Sequence, residues 1–522
     1  MVQACKQSGC CEQLVNPCDG NKRISYCGIN MKGVDPILDA LALIDGLFLL
    51  LDSTDLTVYR VVDQFVAPLP TLIPDTIIPT EHPGPINPVC WSQPAGPSYT
   101  LDGNELTWSN WKMKISWHPR TGIQLYDVTF KDNDVDRSIL YKMSVSDSGN
   151  YYNIENPTCY SNFNSFDSAL YPLMGNFIPL VKGLDVPDYA TLGDVSLINL
   201  DGSPRPIPNA YGIYEQVQDL LYRGHRGPPP FAMQPGPDYG AAKQQLVIRC
   251  TFAGIVYLWT YSWIFNLDGS IEPNVQVSGR TLYTVAHESN PMAQLITKNL
   301  LCGNHTHYFN YRLDFDIDGV ENTVMESNQY TLDDATKCKD GHKKCNPHGN
   351  ICGQGVTVKE RALKTELEGV RNLNSKTNRQ WHVINPNSEN RLGEHHAYSL
   401  LPTSAIGSSL ATDWSGTTFH NSFLKHDLHV TRYHDNEQFA AGEFPIMACE
   451  DVGLGKYVQD NEKIENKDIV VWYSILYSHA PSTEDYPFVS TKTFGLKLIP
   501  DNFFETNPAC TLSTQICNGC DQ

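Results

Sequence analysis

The stretch CGNHTHYFNYRLDFDIDG, residues 302–319, decides the fold. Side chains of an extended strand alternate between two faces. From His305 the odd positions read His, His, Phe, Tyr, Leu, Phe, Ile, and from Thr306 the even positions read Thr, Tyr, Asn, Arg, Asp, Asp, Asp. This period of two predicts a half-buried strand, with one apolar face that starts at two imidazoles and one polar face that ends acidic. His305 and His307 converge on one point, as a metal site requires, but a pair needs a third ligand from another strand. His287, His420, His426, His429, His434 and His479 are candidates, and spacing does not choose among them. Three imidazoles without a thiolate suit copper(II) or zinc. On the other face, Asp314-x-Asp316-x-Asp318-Gly319 opens like an EF-hand loop. Met325 stands where that loop needs its bidentate Glu, and Glu326 comes one residue late, so the EF-hand reading fails. A carboxylate pair for a hard cation at a strand end survives it.

The rest of the chain agrees with a β protein. Aromatic residues make up 10% of its 522 residues, and Val/Ile/Thr-rich alternating segments recur between Gly and Pro turns. LVIRCTFAGIVYLWTYSWIFNLDGSIEPNVQVSG (246–279) reads as a long strand buried on both faces, with Tyr257 in its middle, turning at Asp268-Gly269 into a second strand. A formal charge of −20 argues against nucleic acid as a partner. The longest apolar run, ILDALALIDGLFLLL (37–51), is interrupted by Asp39 and Asp45 and is too short to span a bilayer. Eleven of the sixteen cysteines crowd the two ends and the loop 333–356, without repeated zinc-type pairs. They predict disulfides in a secreted or otherwise oxidising location, some of them linking chains through the termini, although MVQACKQSGCC is no signal peptide. The expected organisation is a Cys-rich segment over 1–27, a small domain or its remnant over 28–66 and a Pro-rich linker over 67–96. One large β domain over 97–509 and a Cys-rich tail over 510–522 complete it.

These segments, in this order, resemble the catalytic domain of the copper amine oxidases. GPSYTLDGNELTWSNWKMKISWHPRTGIQLYDV (96–128) looks like its opening strands, and RQWHVINPNSENRLG (379–393) and LHVTRYHDNEQFAAGEFP (428–445) like later ones. ENKDIVVWYSILYSHAPSTEDYP (465–487) is similar to the closing strand, and FFETNPA (503–509) to the end of the domain. The resemblance implies a large antiparallel β-sandwich preceded by the small α/β remnant, usually as a homodimer. It implies copper on His305, His307 and His479. A second cation, often calcium, would lie on Asp314, Asp316 and Asp468 and the carbonyls of Phe315 and Ile469. One face of the 302–319 strand would thus serve copper and the other a structural hard cation.

The resemblance also implies topaquinone, made with copper and oxygen from a tyrosine of the chain, here Tyr257. Primary amine and oxygen would give aldehyde, ammonia and hydrogen peroxide, with Asp167 of NSFDSALYP as the base that takes the α-proton. Tyr152, or its neighbour Tyr151, would be the tyrosine that hydrogen-bonds the quinone. The chain departs from the family pattern around the precursor: where the family reads Thr-x-x-Asn-Tyr-Asp/Glu-Tyr, it reads Ala253-Gly-Ile-Val256-Tyr257-Leu258-Trp259, and Ser165 stands for the gate tyrosine. Two function classes follow, a primary-amine oxidase and, as alternative, a non-catalytic relative that serves as a structural module of a disulfide-linked assembly.

Overall fold

Leu300–Phe315 is a single 16-residue strand, paired antiparallel with Val135–Asn153 on one side and Ile469–His479 on the other. The computed structural model describes residues 3–4, 24–30, 42–52, 55–63, 89, 91–153, 164–167, 176–199, 201–224, 240–254, 257–285, 289, 291–332, 355–403, 419–445, 448 and 450–511. Within them the strands form two hydrogen-bonded sheets, one 15-stranded and one 10-stranded. The Leu300–Phe315 strand belongs to the first, and Gly240–Ala253, Tyr257–Asn266 and Ile271–Gly279 to the second. No helix among the described residues is long and apolar enough to cross a membrane.

The two sheets share one core. Phe309, Tyr311, Leu313 and Phe315 point into it from the first sheet, and Trp259, Tyr261 and Trp263 from the second. The Trp259 and Phe309 rings meet edge-on with centroids 5.6 Å apart, and Trp263 and Tyr311 do the same at 5.8 Å. Each fully buried side chain of this size contributes roughly 1.5–3 kcal/mol relative to exposure. A slip of one residue would turn the whole row to the other face, so the core fixes the register.

Two expectations are corrected here. The even face of Leu300–Phe315 is not a solvent face: Thr306, Tyr308, Asn310, Arg312 and Asp314 are all buried. A second apolar cluster, with Phe423, Leu424, Ala440, Ala441 and Leu454, packs on Tyr308 and Trp472 and covers it. Several of the polar groups beneath are paired internally, as burial favours. Ser146 Oγ donates to Asn310 Oδ1 at 2.7 Å, Asn310 Nδ2 donates to Ser474 Oγ at 3.0 Å, and Arg312 Nη1 donates to Asp314 Oδ2 at 3.0 Å. Alternation of polarity registers side-chain chemistry, and a polar face can be buried when its partners come from distant segments.

The second correction concerns residues 246–279. The turn at Asp268-Gly269 is there, with Gly269 at φ 83° and Asp268 Oδ1 accepting from the Ser270 N–H at 3.0 Å. The segment before it, however, is two antiparallel strands rather than one, with Ala253 opposite Leu258. The Gly254 N–H donates to the Tyr257 carbonyl at 2.8 Å and closes the reversal. Tyr257 therefore opens its strand instead of lying in its middle. Both limbs are apolar on both faces, so no change of period marks the reversal, and Gly254 is its one local signal.

Upstream, Ile24–Asn30, Ala42–Asp52 and Thr57–Asp63 are strands, and the first of them spans the 27/28 boundary. Among the described residues this region contributes strands alone. Ala42–Asp52 runs parallel to Tyr283–Val285, which pairs with Leu300–Phe315, so its sheet is continuous with that of the sandwich. The cysteine-bearing loop 333–354 and the tail beyond 511 lie outside the described residues.

Candidate active site

His305 and His479 face each other directly across the two central strands, and His307 lies two residues along. One nitrogen from each of the three rings lies within 4.8 Å of the others. His305 Nε2 and His479 Nδ1 are 3.2 Å apart. Tyr257 arrives from the opposite sheet, and its Oη sits 2.9 Å from His305 Nε2 and 3.3 Å from His479 Nδ1. Its ring meets that of His307 edge-on, with centroids 4.5 Å apart. All four side chains are buried. The reversal at Gly254 makes this possible, because it puts Tyr257 at the end of the sandwich where the His strand begins.

The outward nitrogens of two rings are anchored. His305 Nδ1 donates to the Gly303 carbonyl at 2.9 Å, and His479 Nε2 donates to Asp485 Oδ2 at 2.9 Å. Asp485 is held in turn by the Ser482 N–H at 2.8 Å. Such contacts fix the tautomer and aim a lone pair at the cluster centre. Burial, reinforced by His479, pushes His305 down to about 3, and burial holds His307 well below the ordinary histidine range. Both rings are neutral at pH 7, as metal ligation requires. His307 Nδ1 and Nε2 have no hydrogen-bond partner despite complete burial. A buried polar group seldom goes unpaired. Copper(II) on the three imidazoles would be the missing partner, so these residues fit the metal.

Asp167 ends the short strand Asn164–Asp167, opposite Gly149, with Ser165 opposite Tyr151. Register puts Tyr152 directly opposite His305 and Asn150 opposite His307. The side chains of Tyr151, Tyr152, Ser165 and Asp167 lie outside the described residues, as do Val256 and His287. Among the other candidate histidines, His426 and His429 pair with each other at 5.7 Å between ring centroids. His434 Nε2 donates to Glu462 Oε2 at 2.6 Å. Neither arrangement joins the triad.

At the far end of the same strand, Asp314, Asp316 and Asp468 bring one carboxylate oxygen each within 4.8 Å of one another. Phe315 and Ile469 face each other across the ladder at this end. Burial, and then the neighbouring Asp314 and Asp468, push Asp316 up to about 7. Burial pushes Asp314 up to about 6 against the pull of Arg312, and raises Asp468 as well. A third cluster, Glu366, Asp460 and Glu462, escaped the sequence reading. Glu366 lies almost a hundred residues before Asp460 and Glu462, and only folding brings them together. Asp485 escaped it too, although it stands six residues after His479 in HAPSTEDYP.

The family model described as "Copper amine oxidase, enzyme domain" matches residues 100–518. A primary amine oxidase of Arthrobacter sp. (strain P1) is 31% identical over 433 residues, covering 82% of this chain and 63% of the relative. A histamine oxidase of Arthrobacter globiformis is 30% identical over 488 residues, covering 91% of this chain and 67% of the relative. Among solved structures, a copper-containing benzylamine oxidase from Hansenula polymorpha superposes with a TM-score of 0.83 at 21% identity, over 99% of this chain and 78% of that one. The chain belongs to the copper amine oxidase family. It spans 63% of the length of the first of these relatives.

Proposed function

We propose that this chain oxidatively deaminates primary amines to aldehydes, releasing ammonia and hydrogen peroxide. Copper would be held by His305, His307 and His479, and topaquinone would derive from Tyr257. The observation that carries this reading is the Tyr257 phenol oxygen, 2.9 Å from His305 Nε2 inside the imidazole cluster. The quinone would supply an electron sink for the bound amine, and copper the means of making it from tyrosine and oxygen. The chain's own residues do the rest. The His triad keeps three imidazole donors in a buried pocket, and Asp167 takes the α-proton. Tyr152, or its neighbour Tyr151, would be the tyrosine that hydrogen-bonds the quinone and orients the ring. Leu258 brings no charge beside the ring, so maturation is expected to be slow. Phenylhydrazine tests the reading: protein treated with copper and air should give a coloured adduct, and a colourless product refutes it. The alternative of a purely structural relative draws no support from this arrangement.

Asp314, Asp316 and Asp468, with the carbonyls of Phe315 and Ile469, form the proposed structural site for calcium or a similar hard cation. Without a cation, Asp316 titrates near 7 instead of its ordinary 3.8. The native state then binds more protons than the unfolded chain between those values, so cation-free stability falls as pH rises through them. A cation binds the ionised carboxylates and removes that loss. Calcium should therefore raise the melting temperature more at pH 8 than at pH 5.5. Calcium at a hundredfold excess over Kd stabilises by about 2.7 kcal/mol. Asp316→Ala should lose most of the shift. Equal shifts at both pH values and in the variant would leave only a buried acidic cluster.

The assembly expected of this chain is a secreted homodimer, cross-linked in part through its terminal cysteines. Cys510 is exposed and unbridged among the described residues, and the tail cysteines follow it. Non-reducing electrophoresis should show disulfide-linked dimers that reductant converts to monomers. A monomeric band, with every tail thiol open to alkylation, contradicts this.

A further inference from the structure

We infer that Tyr477 is a positioning residue for the His307 imidazole, doing by ring stacking what hydrogen bonds do for the other two copper ligands; the inference rests on the copper reading above. His305 has the Gly303 carbonyl and His479 has Asp485 to set their ring planes. His307 has no such partner on either nitrogen. What it has is Tyr477, directly opposite it on the neighbouring strand. The two rings are within 9° of parallel, with centroids 5.8 Å apart. This is an offset stack, a favourable arrangement of aromatic rings in the 4.5–7 Å range.

Tyr477 does not float in this position. It stacks on Phe494 at 4.5 Å and 29°, and lies nearly parallel to the His479 ring at 5.7 Å and 20°. Phe494 is itself buried, so the stack rests on the core of the second sheet. The Tyr257 ring meets His307 nearly at right angles, at 86°. A parallel neighbour and a perpendicular one together restrict rotation of His307, and a ligand must be held within about 10–20° of its productive orientation. Tyr477 is only half-buried, whereas the three imidazoles are buried. Its ring thus also forms the outer wall of the ligand cluster. Ordinary packing would give the same contacts, and the two roles differ in what happens to the metal.

The test is a copper(II) titration of the full chain with paramagnetic resonance of the loaded protein, on wild type, Tyr477→Phe, Tyr477→Leu and Tyr477→Met. Loss of a contact that orients a ligand typically weakens metal binding by about 10- to 100-fold. The Leu and Met variants should show that loss and a changed copper hyperfine pattern, while their copper-free melting temperatures stay close to wild type. The Phe variant keeps the ring and should match wild type in both. Wild-type affinity and spectrum in either non-aromatic variant overturns the inference, and so does a Phe variant as impaired as Leu. Failure of wild type to bind copper overturns the copper reading and this inference with it.

Discussion

His305→Ala and His479→Ala should each reduce bound copper from one ion per chain to background. Each removal leaves two imidazoles, and His305 and His479 are the pair whose inward nitrogens stand 3.2 Å apart. A buried copper site held by two neutral donors has too few ligands to repay dehydration of the ion. Unfolding would mimic this result, so the copper-free melting temperature is the control. The main core runs from Tyr99 to Phe503 without any of the three histidines, and deleting one ring at its end leaves the sandwich intact. Full copper retention in both variants would remove the metal assignment. Loss in only one would mean that the other histidine is not a ligand.

Tyr257→Phe should separate metal from cofactor. The variant keeps the ring and its edge contact with His307 and loses only the hydroxyl. A hydrogen bond of that kind is worth about 1 kcal/mol, too little to unfold a domain of this size. Copper should therefore bind as before, while the phenylhydrazine adduct and peroxide production from any primary amine fall to the detection limit. Residual turnover in this variant would place the cofactor elsewhere.

Much of the site could be read from residues 302–319 because a strand's period of two puts His305 and His307 together without knowledge of the fold. The third ligand could not be read that way. His479 lies far down the chain, and only the family-like strand 465–487 picked it out from five other histidines. The structure puts it opposite His305. What failed were statements about which faces are covered. Arg312 and Asp314 looked solvated, yet they pair with each other under a layer contributed by residues near Phe423 and Ala440. Gly254 ends a strand in a run where every neighbour is apolar, so hydrophobicity gave the reversal no signature. Glu366, Asp460 and Glu462, and the stack of Tyr477 on His307, depend on pairings between distant segments, which local spacing does not encode.

The central claim is that Tyr257, held in the imidazole cluster, becomes the organic cofactor of an amine oxidase. Mass spectrometry of the peptide containing Tyr257, after incubation of copper-free protein with copper(II) and air, tests it most directly. The account predicts a peptide that has gained oxygen at Tyr257 in wild type and an unmodified one in His305→Ala. An unmodified Tyr257 in wild-type protein that has bound its full copper would contradict it.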